Sequence, residues 1–464
     1  MYEAIGFEAL GRAEPLDCGI SAIDIQNFEN RLGRIKTTMR GYMILRHGKV
    51  ISEKTWKPYV KDDKVYVYSV SKSFTSTAIG LAVDDGLLEV SDKVISFFPD
   101  KFPKNPNQNL LDMSIHDLLC MSTGHTVEPF GDVNGDWMKE FFSRPVEKKP
   151  GTHFVYNSMA TYILSGIVEK VTGRSLMDFL GERVFKPLGF DDVLWDRSPE
   201  GITAGGWGIM VRMEDIAKLG QLYLDGGIWK GKRIISREWV QQVSMRHADN
   251  SMFPDEPEDW RQGYGYQFWL NRDGGYRADG MFGQYLIIMP KRDIVVVLLS
   301  ETYEKADLMD AIWRYILKNP DKIHSEFEEQ VQDRVYSLES SEVGIDSVRL
   351  SFSEKKLSIE FSHKTERYSI EAGRGFWTDC ETTVPFGYMT AVPLFYYNDR
   401  PKKISAHFHW LKSNVLEVGY VYRETPHRDK ILFEFDGDNI CVTLTKANEV
   451  PFSLPESEII KGTA

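Results

Sequence analysis

The sequence predicts a mixed α/β fold (α+β), with one antiparallel sheet flanked by helices and a mostly helical subdomain, followed by an all-β barrel or sandwich. Three observations predict it. A hairpin pattern near the start, Gly41–Arg46 and Lys49–Trp56 about His47-Gly48, has its counterpart in much later strand-like runs, 265–270, 285–289 and 294–300. Between them the apolar spacing is mainly helical. Beyond about residue 320 short segments alternate apolar and polar residues. A sheet drawn from both ends of a region, with helices inserted, is a discontinuous α/β domain.

At 464 residues the chain is long for a single domain. The predicted division is residues 1–320 for the α/β domain, with its helical subdomain at about 87–200, and 321–464 for the β-rich domain. A hydrophobic content of 42% and an aromatic content of 12% supply sizeable cores. The net charge of −12 argues against nucleic acid and anionic membrane as partners. The longest aliphatic run, 294–299, is too short to span a bilayer. Cys18, Cys120, Cys380 and Cys441 show neither paired nor metal-ligand spacing, and the first residues lack a basic and apolar leader. A reduced, cytoplasmic setting is therefore expected. Nothing in the sequence sets the oligomeric state.

In chain order, 20–35 reads as an amphipathic helix and 41–56 as the hairpin, with His47 a turn residue. A helix starting near residue 70 ends at Asp84-Asp85-Gly86, and 115–121, 160–171 and 176–185 follow as helices. After a helix over 213–224, Asp225-Gly-Gly-Ile-Trp-Lys-Gly forms a tight two-stranded excursion. Residues 238–244 return to helix, and the acidic loop Pro254-Asp-Glu-Pro-Glu-Asp259 leads to the three strand candidates. A last helix, 306–317, stops before Asn319-Pro320. The alternating segments are 347–352, 356–361, 366–371, 405–410, 415–422, 430–435 and 439–445. His407 and His409 share a strand face, compatible with metal ligation or with plain packing; no Cys, Asp or Glu joins them at ligand spacing, and no metal is assigned.

The chemistry gathers at Ser69-Val-Ser-Lys72. A serine at a helix start meets free N–H groups and the positive dipole end, which favour the anion formed on carbonyl attack. Lys72, one turn on and facing the same side, can take the serine proton if desolvated. The same pattern also describes an N-cap serine beside a surface lysine, and Ser353-Glu-Lys-Lys356 repeats it in a polar turn. Two further stretches accompany the first. In Tyr156-Asn157-Ser158, a tyrosine beside a helix start can shuttle a proton, or anchor a helix that Asn157 caps. In Arg277-Ala278-Asp279-Gly280-Met281, Gly280 permits close approach of a ligand, so that the Met281 N–H joins the Ser69 N–H as an oxyanion hole; a β-turn is the plainer alternative.

Taken together and in this order, the three stretches resemble the penicillin-recognising serine hydrolases: class C β-lactamases, D-Ala-D-Ala carboxypeptidases, and β-lactamase-like esterases and amidases. His116-Asp-Leu-Leu-Cys-Met-Ser-Thr-Gly124, Gly205-Gly-Trp-Gly208 and Phe282-Gly-Gln284 strengthen the resemblance, which covers roughly residues 30–318. It implies a β-lactamase-like fold and an acyl-enzyme mechanism without metal or organic cofactor. Ser69 is then the nucleophile, Lys72 and Tyr156 relay its proton, Ser158 holds their network, and either Lys72 or Tyr156 is the base. Ala278, Asp279, Gly280, Asn157 and Trp207 are the implied substrate-binding positions. Ser158 stands where many members have Asn, and Ala278-Asp279 where they have Lys or His followed by Thr. A carboxylate there repels an anionic substrate tail, so the pattern is closer to 6-aminohexanoate-dimer hydrolases and related esterases than to true β-lactamases. The expected activity is hydrolysis of small esters or amides. The alternatives are β-lactamase or D-Ala peptidase activity, or a penicillin-binding-like sensor that does not turn over.

Overall fold

A computed structural model describes residues 8–129, 134–253, 255–317, 324–341, 344–384, 401–425, 428–446 and 457–464. Pro254 of the acidic loop, Asn319-Pro320 and the expected domain boundary at residue 320 lie outside them. The chain divides into two compact units, residues 1–14 with 31–311 and residues 15–30 with 312–464. The 15–30 segment counts with the second unit because it is tied there: the Ile23 N–H and the Ser21 hydroxyl both donate to the Gly375 carbonyl.

The first unit is built on a six-stranded antiparallel sheet in the order Lys49–Thr55, Met39–Arg46, Ile294–Ser300, Gln284–Met289, Tyr276–Gly280, Trp269–Leu270. The hairpin turns on His47 and Gly48, both at positive φ, the conformation that matches the strand twist. Ile294–Ser300 is buried along its whole length, as its continuous apolar run requires of a strand covered on both faces. Helix Met213–Leu224 lies on this sheet, and Gly220 allows it to press close: a Cβ there would stand 2.6 Å from Leu286 and Val295.

Helix Ser71–Asp84 is buried from Ser71 to Ala82 although half of these residues are polar. Burial is tolerated because the hydroxyls are satisfied. Ser73 donates to the Gln267 carbonyl at 2.9 Å, Ser76 to that of Tyr266 at 2.8 Å, and Thr75 to that of Gly205 at 2.9 Å. Helices Ile115–Leu119 and Ser158–Thr172 complete the surrounding core, with Leu118, Leu119, Ile163 and Leu164 fully buried.

Several expected elements change shape. The 265–270 run is a strand only at Trp269–Leu270, because Gly265 abuts the Val243 carbonyl and the Gln267 N–H is taken by the Leu119 carbonyl. Tyr276–Gly280, for which a β-turn was the plainer alternative, is a full strand pairing Asp279 with Tyr285. The helices expected at 176–185 and 306–317 run as Leu176–Leu180 and Lys305–Ala311, each widening into a π-helical turn, Gly181–Phe185 and Ile312–Ile316.

In the second unit nine strands close into a barrel. In ring order they are Glu366–Arg374, Lys356–His363, Ser347–Phe352, Val335–Leu338, Ser457–Thr463, Asn439–Lys446, Arg428–Asp436, Val415–Tyr422 and Lys402–Lys412. A short parallel pairing, Gly373 with His407 and Arg374 with Phe408, closes it. Thr378–Thr382 adds to Lys402–Lys412 outside the ring. Alternate residues point inward, and Val348, Ile359, Phe361, Phe408, Trp410, Val418 and Phe433 fill the interior. Of the two all-β architectures expected, the barrel is the one formed. His407 and His409 stack with ring centroids 5.8 Å apart, and His407 packs edge-on against Trp377. Among the described residues, the group of three side chains able to share a metal ion lies elsewhere. No helix among them is long and apolar enough to cross a membrane.

Candidate active site

Ser69 sits in a single helical turn, Tyr68–Val70, that runs directly into helix Ser71–Asp84. Tyr68 before it has φ 48°, and its ring is braced edge-on by Phe282 at 5.2 Å and Tyr66 at 4.9 Å. The turn therefore presents Ser69 from a fixed position, one helical turn below Lys72 as the spacing requires. The Lys72 amine donates to Ser69 Oγ at 2.8 Å, to Ser158 Oγ at 3.1 Å and to the Gly206 carbonyl at 2.8 Å.

All three acceptors of Lys72 are neutral, and the side chain is entirely buried. Loss of hydration, with only partial compensation from the Glu128 carboxylate, brings its pKa down from 10.5 to about 7. At neutral pH a large share of Lys72 is thus the free amine. Its nitrogen also lies 4.8 Å from the centroid of the Tyr156 ring. Tyr156 stacks on Trp269 at 5.5 Å. Burial pushes its phenol well above the usual range, against a hydrogen bond with Ser69 that works the other way.

Two groups missed by sequence reasoning complete this network. The Gly206 carbonyl arrives from the Gly205-Gly-Trp-Gly208 loop, which fits only because Gly206 lacks a side chain: a Cβ would lie 2.5 Å from the Ser158 carbonyl. Glu128 accepts the Ser158 N–H. The glycines signalled the first; nothing in the local sequence signalled the second.

The third stretch is brought to the same place. A cavity of about 600 Å³ is lined by Ser69, Tyr156, Asp279, Gly280 and Met281, together with the aromatic side chains of Phe154, Trp260, Trp269, Tyr285 and Tyr303. Gly280 was expected to let a ligand approach the backbone. What approaches instead is the chain itself: a Cβ at Gly280 would stand 2.4 Å from the Val67 carbonyl and 3.3 Å from the Val70 side chain. The glycine seats the strand end against the turn that carries Ser69, and Met281, next in the chain, lines the same cavity as that serine.

Three of the expected substrate-binding positions do not line the cavity. Ala278 packs into the core. Asn157 is buried and caps helix Ser158–Thr172 by accepting the Ala160 N–H at 3.0 Å. The Trp207 carbonyl accepts from Trp195 Nε1, and its ring packs on Trp137. Asp279 lines the cavity but is not the bare carboxylate that its position suggested. It accepts from Trp260 Nε1 at 2.8 Å and from Arg277 Nε at 3.2 Å. Burial raises its pKa, while Arg277 and Lys305 oppose the rise. The signal was present in the sequence: on a strand, residues two apart share a face, so Arg277 and Asp279 pair. Lys305, in the cavity wall, lies 4.6 Å over the Trp260 ring and bonds Glu256 at 3.1 Å.

This arrangement has relatives. A family model described as Beta-lactamase matches residues 33–319. Over 311 residues the chain is 28% identical to the 6-aminohexanoate-dimer hydrolase of Paenarthrobacter ureafaciens, spanning 60% of this chain and 76% of that protein. It is 26% identical over 282 residues to a D-aminopeptidase of Brucella anthropi, spanning 56% of this chain and 52% of that protein. Among solved structures, the octameric penicillin-binding protein homologue from Pyrococcus abyssi aligns over 90% of this chain and 96% of its own, with a TM-score of 0.50 and 18% identity. That breadth extends the likeness of fold beyond the region matched by the family model. With the model covering more than half of its length, the chain belongs to the beta-lactamase family.

Proposed function

We propose that the protein is a serine hydrolase that cleaves small esters or amides through an acyl-enzyme. One observation carries this reading: a fully buried Lys72, with a pKa of about 7 and no carboxylate bonded to it, is hydrogen-bonded to Ser69 at the floor of an aromatic cavity. Ser69 Oγ attacks the carbonyl carbon as its proton passes to the Lys72 amine. The phenol of Tyr156 is held protonated by burial at neutral pH, which supports Lys72 as acceptor and Tyr156 as the donor to the leaving group. The N–H groups of Ser69 and Met281 receive the oxyanion, each donor contributing roughly 3–4 kcal/mol. The leaving alcohol or amine departs with the Tyr156 proton, and the Lys72 ammonium passes the proton taken from Ser69 to the phenolate, so that phenol and free amine are both restored. Water, deprotonated by that amine, then attacks the ester, and the proton returns to Ser69 Oγ as the acid leaves.

The family relatives include amide-cleaving enzymes by name, a 6-aminohexanoate-dimer hydrolase and a D-aminopeptidase, which supports an amide within the substrate range. A fluorophosphonate probe should label Ser69, and a panel of p-nitrophenyl esters, short amides, D-amino-acid peptides and a chromogenic cephalosporin should show turnover of esters or amides. Label on another serine, or a stable acyl-enzyme with every substrate, would end the proposal.

A further inference from the structure

We infer that His116, Cys120 and His247 form a binding site for a thiophilic divalent metal ion, zinc above all, outside the catalytic network. His116 lies on helix Ile115–Leu119 and Cys120 is its C-terminal cap, so the two side chains stand one turn apart on one face. His247 comes from the chain beyond helix Arg237–Val243. Its N–H donates to the Tyr264 carbonyl at 3.0 Å, and its ring lies flat on Tyr266 at 4.1 Å. One ligand atom from each of the three residues falls within 4.8 Å of the others. Sequence spacing alone could not show this, since the third member is more than a hundred residues away.

With Zn–S near 2.3 Å and Zn–N near 2.0–2.1 Å, a sulfur and a nitrogen ligand lie about 3.6 Å apart. Cys120 Sγ stands 3.6 Å from His116 Nε2 and 3.8 Å from its Nδ1, so the separation fits and the imidazole turns about its Cβ–Cγ bond to aim Nε2 at a shared ion. A thiol–imidazole hydrogen bond would account for that pair by itself; His247, whose ring packs edge-on against that of His116 at 5.4 Å, supplies the third ligand. The His247 nitrogen Nε2 is 2.9 Å from the Gln242 carbonyl, which fixes the ring and leaves Nδ1 for a metal. The Asp117 carboxylate, 3.9 Å from His116 Nδ1, leaves Nε2 for the same purpose. Metal-bound histidines are commonly oriented by such outer partners.

Access and chemistry agree with this geometry. The thiol is fully buried, whereas both imidazoles are half-exposed, so an ion enters from the solvent side and keeps one position for water. Two imidazoles and a thiolate select a borderline-soft ion over magnesium or calcium. Binding a divalent ion displaces the Cys120 thiol proton, which is released to solvent.

The test uses the untagged full-length protein, dialysed against a chelator and titrated with cobalt(II) as a zinc surrogate. One equivalent should produce a thiolate-to-cobalt charge-transfer band that zinc bleaches, and zinc should raise the melting temperature. Cys120→Ser should abolish the band, although Cys18, Cys380 and Cys441 remain. His247→Gln should weaken zinc binding by roughly tenfold or more. Absence of the band at one equivalent, or its survival in Cys120→Ser, would overturn the site. If Cys120→Ser does not fold, His247→Gln decides alone, because unchanged zinc affinity there is equally fatal.

Discussion

The Ser-x-x-Lys pattern occurs twice in this chain, and the two copies behave oppositely. Ser353 and Lys356 lie exposed in the turn between strands Ser347–Phe352 and Lys356–His363. There the Ser353 hydroxyl donates to the Lys356 carbonyl at 3.0 Å and accepts the Lys356 N–H at 3.0 Å, so the serine closes a turn while the lysine side chain lies exposed. Ser69 sits in the turn Tyr68–Val70 at the cavity and Lys72 in the buried first turn of helix Ser71–Asp84, where the amine reaches the hydroxyl. The motif supplies spacing only. Loss of water around Lys72, without a bonded counter-ion, is what brings its pKa down to about 7, whereas Lys356 remains at the surface.

The strongest way to break this comparison is at the serines. Ser69→Ala should lower p-nitrophenyl ester hydrolysis to background, a loss of roughly a million-fold, and remove fluorophosphonate labelling. Ser353→Ala should change neither. Equal losses from both variants, with both folded, would remove the distinction between the copies.

Next is the lysine, with an expected loss of roughly 10²–10⁴-fold in kcat/KM for Lys72→Met and none for Lys356→Met. In the wild type, Lys72 is active once deprotonated, so kcat/KM should rise with pH through an apparent pKa near 7 and level off above it. Stability has a definite sign as well. The folded pKa lies below the ordinary 10.5, so the contribution is present above 10.5 and is lost as pH falls through about 7. Lys72→Met should therefore melt higher than the wild type at pH 6, by a margin that shrinks toward pH 10. A flat rate profile between pH 5 and pH 9 would contradict the burial effect.

A smaller change should follow at the glycine that seats the strand on the serine turn. Gly280→Ala places a Cβ 2.4 Å from the Val67 carbonyl. Relief of that overlap should displace the Ser69 and Met281 N–H groups proposed to receive the oxyanion, with about 1–3 kcal/mol lost in transition-state stabilisation and a lower kcat at nearly unchanged KM. Wild-type kcat in Gly280→Ala would show that the contact is incidental.

The smallest expected effect concerns substrate charge. Lys305 is partly exposed and already paired with Glu256, so its attraction for a substrate carboxylate is worth only about 1 kcal/mol. Lys305→Ala should lower kcat/KM for carboxylate-bearing esters by a few-fold up to roughly tenfold and leave neutral esters unchanged. An equal effect on both classes would assign Lys305 to cavity shape instead of charge recognition.

Much of the architecture was determined by the sequence on its own. The Ile294–Ser300 strand was legible because the six consecutive apolar residues 294–299 suit a strand covered on both faces, and the barrel strands because their alternation matches the pleat. The hairpin at His47-Gly48 and helix Met213–Leu224 followed from turn chemistry and helical period. The family pattern also placed Ser69, Lys72, Tyr156 and Ser158 together before any contact was visible, and these four do meet or adjoin in one network.

Only the tertiary structure decided the rest, because it depends on approach between residues distant in the chain. Closure of the barrel rests on a two-residue pairing of Gly373 and Arg374 with Lys402–Lys412. The role of Gly280 rests on the Val67 carbonyl, more than two hundred residues earlier. The third acceptor of Lys72 is the Gly206 carbonyl: the run of glycines signals a close approach, but only the fold shows that Lys72 is what it meets. Nor does the sequence carry the burial that distinguishes Lys72 from Lys356: both follow a serine by three residues, and only the packed surroundings of the first remove its water.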